Sequence, residues 1–211
     1  PAVRITVAAT AHTIETVVAP GIADFMRARP HVRVGVVEAN GVEIEDLVLS
    51  GEASMGITGR PRYDAGLVDH QIVRLDILAA SPRPFSPAER RSGIGLRVLC
   101  ERDLLVLDRG YQSRLTLDAA LRLLSLSPSI RHEGGSGTVI LALARAGLGT
   151  AVIPATTRTD LHTAKIIANG IVLGMDLAAI WDPALRWRAE VEQFADRLRA
   201  SFASRRRAPR T

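Results

Sequence analysis

Residues 134–154, with the sequence GGSGTVILALARAGLGTAVIP, change their hydrophobic period twice within one short stretch. A glycine-rich turn, with Ser136 as a candidate N-cap, leads into apolar residues at helical spacing, which predicts a helix. Gly147 stands where a helix commonly ends in a left-handed residue, and residues 150–153 predict a short buried strand that Pro154 closes. Free N–H groups at such a helix start favour an anion or a carbonyl oxygen. An ordinary turn before an ordinary helix is the alternative interpretation.

Working outward, the first third of the chain alternates between strand and helix patterns. The strands are expected over residues 3–7, 32–38 and 53–58. The helices between them are expected over residues 14–26, with a bend at Pro20, and over residues 40–48, with Asn40 and Glu43 as a capping box. Two βαβ units of this kind predict a parallel sheet whose ligands lie at the carboxyl ends of its strands.

A second series of elements follows, and the chain then returns. Residues 71–80 predict a strand that leaves the first lobe, and residues 81–95, rich in proline and charge, predict a loop. Further elements are expected over residues 104–107 (strand), 113–126 (helix), 129–133 (strand), 163–167 (a crossing back) and 176–181 (strand). Asp182 should then cap a last helix that carries an apolar stripe.

These elements predict an α/β protein with two lobes, each a mainly parallel sheet flanked by helices. The first lobe is expected to contain residues 1–80 and 164–204, and the second lobe residues 81–163. Two crossings of the chain predict a hinge with a ligand cleft between the lobes. No internal repeat of fixed period is visible.

Length and composition favour a cytoplasmic protein with no membrane partner. The 211 residues can bury a sizeable core, and no apolar run reaches the roughly 18 residues of a membrane span. The first residues lack the layout of a signal peptide. A single cysteine, Cys100, excludes an internal disulfide and favours a reducing compartment.

The net charge of +5 is concentrated at the C-terminal end. Arg205, Arg206, Arg207 and Arg210 carry four of these charges, which leaves +1 for residues 1–204. A near-neutral body offers no basic stripe for phosphates, and an aromatic content of 4% argues against a base-stacking platform. We therefore expect no direct binding of nucleic acid by the body, and a solvated, disordered tail over residues 205–211.

Two sets of residues carry a family likeness. The first contains VVAPGIADF at residues 17–25, then Arg29-Pro30, Val37-Glu38, Leu47, Gly51 and Ile57. The second contains Ser136, Thr138 and AGLGTAVIP at residues 146–154. In this order and spacing they resemble the effector-binding domain of LysR-type transcriptional regulators over nearly the whole chain. Ser54 departs from the pattern, because the family commonly has an acidic residue there.

The resemblance implies the two-lobed periplasmic-binding-protein type II fold, with a small effector in the interlobe cleft. It also implies side-by-side homodimers of the domain and tetramers of the full regulator. Promoter DNA would be bound by an N-terminal winged helix-turn-helix domain. This chain starts after such a domain, so we expect the natural protein to be longer.

The residues predict neither an enzyme nor a metal site nor a bound cofactor. Cys100 has no histidine near it in sequence, and the five histidines show no metal-ligand spacing. Ser136 is not part of a Gly-x-Ser-x-Gly motif. The glycine pair at 147 and 149 follows a helix instead of opening one, which excludes a dinucleotide-binding turn.

Polar residues at the predicted strand ends and helix starts are the candidate effector contacts: Thr10, His12, Thr13, Asn40, Thr58, Arg60, Ser113, Ser136 and Thr138. In the branch of the family that senses acids of aromatic catabolism, a Gly-Arg at the position of Arg60 holds the effector carboxylate. An exposed loop arginine is the alternative for Arg60, and a structural role is the alternative for His12. The sequence therefore predicts a regulatory domain for a small anionic effector, a carboxylate, with a solute-binding protein of a transport system as the alternative.

Overall fold

The chain divides into two compact units in a computed structural model that describes residues 3–59 and 66–207. Unit 1 takes the chain up to Val73 and again from Asp176, and unit 2 is Arg74–Met175. The chain passes between the units within strands β4 (Val68–Ser81) and β11 (Gly174–Trp181). No helix in the described residues is long and apolar enough to span a membrane.

Unit 1 contains the parallel sheet that the first third of the sequence predicted. Its strands are β1 (Val3–Ala9), β2 (Val32–Glu38), β3 (Met55–Gly59) and the unit 1 part of β11, in the order β2-β1-β3-β11. The first three strands are parallel, and β11 is antiparallel to β3. The alternation of apolar and polar residues in β1 places Ile5 and Val7, both fully buried, on the core.

The helices of unit 1 are α1 (Ala11–Thr13), α2 (Ala19–Ala28), α3 (Gly41–Leu49) and α8 (Arg188–Arg207). A π-helical segment, Ile14–Val18, joins α1 to α2 directly before Pro20, where the sequence predicted a bend. The N–H of Ala19 donates to the carbonyl of Ile14, five residues back. Since Pro20 has no N–H to donate, this wider turn shifts the hydrogen-bond pattern just ahead of the proline.

Helix α8 closes the core of unit 1 through its apolar stripe. The rings of Phe25 and Phe194 lie 4.9 Å apart, and Leu198 packs against the backbone at Gly21. The predicted cap at Asp182 is wrong, because its Oδ1 accepts from the N–H of Ala184 in a turn and the helix begins only at Arg188. Residues 205–207 are helical, where a disordered tail was expected, and residues 208–211 lie outside the described part.

Unit 2 has β6 at the centre of its parallel strands. Its strands, besides the unit 2 part of β4, are β5 (Ile94–Gly95), β6 (Leu104–Leu107), β7 (Ile130–Gly134), β8 (Thr150–Pro154), β9 (His162–Ala168) and β10 (Ile171–Val172). Its helices are α4 (Pro87–Ser92), α5 (Leu96–Leu99), α6 (Gln112–Leu123) and α7 (Gly137–Arg145). The principal sheet order is β4-β8-β6-β7, with β6 parallel to β7 and β8, and β4 antiparallel to β8.

Two features of unit 2 differ from the sequence-based expectations. Residues 163–167 do not cross back to the first lobe, because they belong to β9, which pairs with β4 and β5. The unit boundaries therefore fall at 73/74 and 175/176, not at 80/81 and 163/164. The expected loop over residues 81–95 contains α4, where Ser86 and Glu89 form a capping box with N–H···O distances of 3.2 and 2.7 Å.

The two units share one strand plan. In each, a central strand (β1 or β6) lies between two parallel neighbours, and one of these neighbours (β3 or β8) has an antiparallel strand (β11 or β4) on its other side. The sequence shows no repeat of fixed period, so this correspondence appears only in three dimensions. Because β1 and β6 hold the same place in the two sheets, the residues that follow β1 correspond to those that follow β6.

We expect Gly93→Ala to reduce the free energy of unfolding by about 2–5 kcal/mol. Gly93 has φ +90°, and a Cβ there would lie 2.7 Å from the carbonyl oxygen of Lys165. Gly147→Ala is the matched control, since Gly147 has φ +80° but no atom within 4 Å of an added Cβ, so that only strain of about 1–2 kcal/mol applies. Urea unfolding followed by circular dichroism measures both, and equal losses would contradict the packing argument.

Candidate functional site

Polar residues of unit 1 lie together at the carboxyl ends of its parallel strands. The register sets Ala9 opposite Glu38 and Ile57, so the three strands end at one edge of the sheet. The backbone N–H of Ala39 also donates to the carbonyl of Ala9 at 3.1 Å. The strand-end site of unit 1 is defined here by Thr10, His12, Thr13, Asn40 and Thr58. The register thus brings the loops that carry these predicted contacts to the same edge.

Thr10 and Thr13 cap the start of α1 as a pair. Oγ1 of Thr10 accepts from the N–H of Thr13 at 3.3 Å and donates to Oγ1 of Thr13 at 3.0 Å. The proton of the Thr10 hydroxyl is therefore used inside the pair, and Thr13, whose side chain is nearly buried, keeps its own hydroxyl proton. Thr10 therefore positions the helix start. From the sequence alone, a threonine in this role cannot be told apart from one that contacts a ligand.

His12 is half-buried in α1. Burial lowers the pKa of the His12 imidazole, and the nearby charge of Glu15 acts in the opposite, weaker direction. A lowered pKa favours the neutral imidazole at physiological pH, which offers one donor and one acceptor nitrogen. In this neutral form His12 contributes no full charge to the strand-end site of unit 1.

A carboxylate of the chain itself already occupies the start of α3. Asn40 is exposed at the N-cap, and its backbone N–H donates to Oε2 of Glu43 at 3.0 Å. Because the Glu43 carboxylate lies in the first turn, it satisfies the positive end of this helix dipole. Thr58 lies in β3 and is 9% exposed, which leaves little of its side chain for a ligand. Arg60, the one predicted charge contact, lies outside the described residues.

Unit 2 has a corresponding strand-end site, defined by Asp108, Tyr111, Ser136, Gly137 and Thr138. Its strands also end together, because Leu107 pairs with Gly134 and the N–H of Asp108 donates to the carbonyl of Gly134 at 3.1 Å. Oγ of Ser136 accepts from the N–H of Val139 at 3.3 Å, so the predicted N-cap of α7 is confirmed. Thr138 is exposed in the first turn of this helix.

Ser113 does not belong to this accessible set. It lies in the first turn of α6 but is only 3% exposed, because it faces the body of unit 2. The sequence predicted Ser113 as a ligand contact because it lies near a helix start. That position does not indicate which face of α6 is buried.

Three residues near this site were missed by the sequence analysis. The hydroxyl of Tyr111 donates to the carbonyl of Gly135 and ties the start of α6 to the glycine-rich turn. Oδ1 of Asp108 accepts from the N–H of Gly110 at 2.9 Å. The Asp-x-Gly sequence at residues 108–110 is a turn signal that could have indicated this arrangement. Thr157, after β8, lies against Gly137, where an added Cβ would be 3.3 Å from its methyl group.

Arg114 is the charged residue that fixes the strand ends of unit 2. Its side chain is fully buried and donates to Asp118 at 2.8 Å, to Glu133 at 3.0 Å and to the carbonyl of Leu107 at 3.0 Å. These contacts join α6 to the ends of β6 and β7. Burial opposes the charge of Arg114, while its hydrogen bonds to the two carboxylates favour it, with the net effect of raising its pKa. The hydrogen bond from Arg114 lowers the pKa of Glu133.

The described residues do not form a metal centre or a reactive thiol site. No group of three or more His, Cys, Asp or Glu side chains in residues 3–59 and 66–207 could hold a metal ion. Cys100 is partly buried, and burial raises its thiol pKa, which disfavours the reactive thiolate. The arrangement offers capped helix starts, hydroxyls and one neutral imidazole, which are groups suited to binding a small polar molecule.

Comparison with known proteins identifies the relatives of this chain. The family model of the LysR substrate binding domain matches residues 1–203. Over 144 residues, which are 68% of this chain and 49% of the relative, the chain is 22% identical to the uncharacterized HTH-type transcriptional regulator YybE of Bacillus subtilis. The match therefore spans about half the length of this curated relative.

Two solved structures share the fold at low sequence identity. A Corynebacterium glutamicum OxyR mutant bound to H2O2 has a TM-score of 0.81 and 19% identity, covering 95% of this chain and 65% of that chain. The Synechocystis CcmR regulatory domain in complex with 2-PG has a TM-score of 0.79 and 17% identity, covering 93% of this chain and 96% of that chain.

We predict that Glu133→Gln lowers the free energy of unfolding at neutral pH and that its difference from the wild type disappears on acidification. The folded-state pKa of Glu133 is below its unfolded value of about 4.3, so its stabilising contribution is present above that value. The contribution is lost as the pH falls through the folded pKa. Urea unfolding at several pH values between about 7 and 3 measures the difference.

Glu101→Gln is the control for this experiment, since Glu101 is an exposed carboxylate of the same unit without an ion pair in the described residues. This variant should stay close to the wild type at every pH. A difference for Glu133→Gln that stays constant from neutral to acid pH would show that charge on Glu133 is not what stabilises the fold.

Proposed function

This chain belongs to the LysR substrate-binding domain family, and on that premise we propose that it senses a small organic anion for a transcriptional regulator. It has the periplasmic-binding-protein type II fold that the family resemblance implied. Its relatives are transcriptional regulators, which supports a regulatory and non-enzymatic role over the alternative of a solute-binding protein. We propose that promoter DNA is bound by an N-terminal winged helix-turn-helix domain outside residues 1–211, and not by these residues.

The proposed effector is a carboxylate, and the cleft between the lobes is proposed as its site because the family resemblance implies it. The observation that carries this proposal is the Ser136-capped start of α7, which follows a glycine-rich turn. Such helix starts bind anions through N–H groups and the helix dipole. Thr138 offers an exposed hydroxyl beside it, and the capped start of α1 supplies a second helix terminus. The complex of the related CcmR domain with 2-PG supports a ligand-binding role for this fold.

Arg60 is proposed to supply the positive charge for the effector carboxylate. In the sequence it is the next residue after Gly59, the last residue of β3. An arginine fork can bind a carboxylate through two parallel hydrogen bonds, and a charge-assisted bond of this kind contributes about 1.5–3 kcal/mol. Residue 60 therefore has the chemistry to select an acid over its neutral analogue.

We expect Arg60→Ala to weaken binding of an acidic effector by roughly tenfold to a hundredfold and to leave thermal stability nearly unchanged. Calorimetric titration with a panel of carboxylates measures the affinity. Arg33→Ala, an exposed arginine on β2, is the matched control and should bind like the wild type. Equal affinities of the wild type and Arg60→Ala for every acid that binds would remove Arg60 from the site.

We also propose that the domain forms a homodimer, with tetramers in the full regulator. Strand β2 is an outer strand of unit 1 and carries Val36, which is 41% exposed. Strand β7 is the outer strand of the principal sheet of unit 2, and Leu123 of the neighbouring α6 is 78% exposed. Outer strands and exposed apolar side chains are surfaces that a second copy can cover. We propose that α2 and β2 of one copy pair with the second unit of its partner.

Sedimentation at tens of micromolar should give twice the mass of one chain, with a buried area on the order of 1,000 Å² or more. Val36→Lys places a charge in the proposed contact and should produce monomers. Ile171→Lys changes an equally apolar residue, 69% exposed at a hairpin of unit 2, and should remain dimeric. A monomeric wild type at this concentration would contradict the proposal.

A further inference from the structure

The strand-end site of unit 2 contains a carboxylate that forms no ion pair with any residue that the structure describes. Asp108 is half-buried directly after β6, and only its Oδ1 is used, by the N–H of Gly110 at 2.9 Å. Within residues 3–59 and 66–207, no cationic side chain forms an ion pair with it. The neighbouring Arg109 lies 3.5 Å from Asp118 instead. Oδ2 of Asp108 therefore remains available to accept a hydrogen bond.

This free oxygen faces the glycine-rich turn before α7. A Cβ added to Gly135 would lie 3.7 Å from Oδ2 of Asp108, which places the carboxylate beside the proposed anion-binding turn. Glu133, the other carboxylate nearby, differs because Arg114 pairs with it at 3.0 Å. Of these two carboxylates, Asp108 is therefore the one without an ion-pair partner among the described residues.

The shared strand plan gives Asp108 a position equivalent to that of Thr10. Each is the first residue after the central strand of its unit, β1 or β6. Ligands in α/β sheets bind at this edge, outside the carboxyl ends of the strands. Asp108 thus occupies the same kind of position in unit 2 that a predicted effector contact occupies in unit 1.

We propose that the effector carries a protonated amine in addition to its carboxylate, and that Asp108 binds this amine. A purely anionic ligand would be repelled by Asp108, whereas an ammonium group would form a charge-assisted hydrogen bond with Oδ2. The effector is therefore an amino acid or a related zwitterion. This inference rests on the proposed function, from which the carboxylate end of the ligand comes.

The experiment compares matched ligands on the wild type and on Asp108→Asn. The panel contains α-, β- and γ-amino acids, aliphatic and aromatic, together with the carboxylic acid and the amine of each carbon skeleton. Asparagine retains an oxygen that can accept from the N–H of Gly110, so this variant should preserve the turn and the melting temperature. Thermal-shift screening selects the compounds that bind, and calorimetric titration then measures their affinities.

In the wild type, the zwitterion should bind at least about tenfold more tightly than the matched acid, as expected for one charge-assisted bond. Asp108→Asn should remove this preference, and Glu101→Gln, which removes an exposed carboxylate elsewhere in unit 2, should retain it. Equal binding of acid and zwitterion, or a preference that persists in Asp108→Asn, would overturn the assignment of Asp108.

The outcomes also separate this inference from the proposed function. Binding of the acids without any effect of the amine supports the anion site and rejects the role of Asp108. Binding of the amines alone, lost in Asp108→Asn, supports Asp108 and rejects the carboxylate. A panel in which no compound binds would reject both.

Discussion

Both candidate sites depend on one constraint. In each unit a central strand, β1 in unit 1 and β6 in unit 2, has a parallel neighbour on both sides. Parallel strands end at the same edge of a sheet, so a central strand with two parallel neighbours brings three chain turns together. In unit 1 the register aligns Ala9 with Glu38 and Ile57, and in unit 2 it aligns Leu107 with Gly134. Backbone hydrogen bonds between the strands therefore bring the polar residues of each site to one edge. Direct contacts between all of their side chains are not needed for this.

The carboxylates near the strand ends of unit 2 differ in their charge partners. The buried guanidinium of Arg114 holds Asp118, Glu133 and the carbonyl of Leu107, and so turns two carboxylates into structural groups. A buried charge costs free energy unless it is fully paired, and this pairing explains why the arginine can lie inside the unit. Asp108 is outside this network, although it directly follows Leu107 in the sequence. The network therefore distinguishes a carboxylate that supports the fold from one that can meet a ligand.

The sequence predicted the parts of the fold that depend on local patterns. Apolar runs gave the parallel strands, and Gly147 and Ser136 gave the ends of α7, because glycine and serine favour those backbone positions for local reasons. Burial of Ser113 and of Arg114 was not predictable, since it depends on how α6 packs against distant strands. The pairing of β9 with β4 also joins residues far apart in sequence, and this long-range contact set the unit boundary.

The division of the chain has a consequence for the order of folding. Unit 2 is one continuous segment, Arg74–Met175, whereas unit 1 needs β11 and α8 from the last part of the chain. During synthesis the first strands of unit 1 leave the ribosome before unit 2, but β3 lacks its partner β11 and Phe25 lacks Phe194 until β11 and α8 have emerged. Unit 2 can therefore complete its core while unit 1 still exposes apolar surface. The unit whose strands are made first therefore completes its core last, and its apolar surface is covered only once α8 has been made.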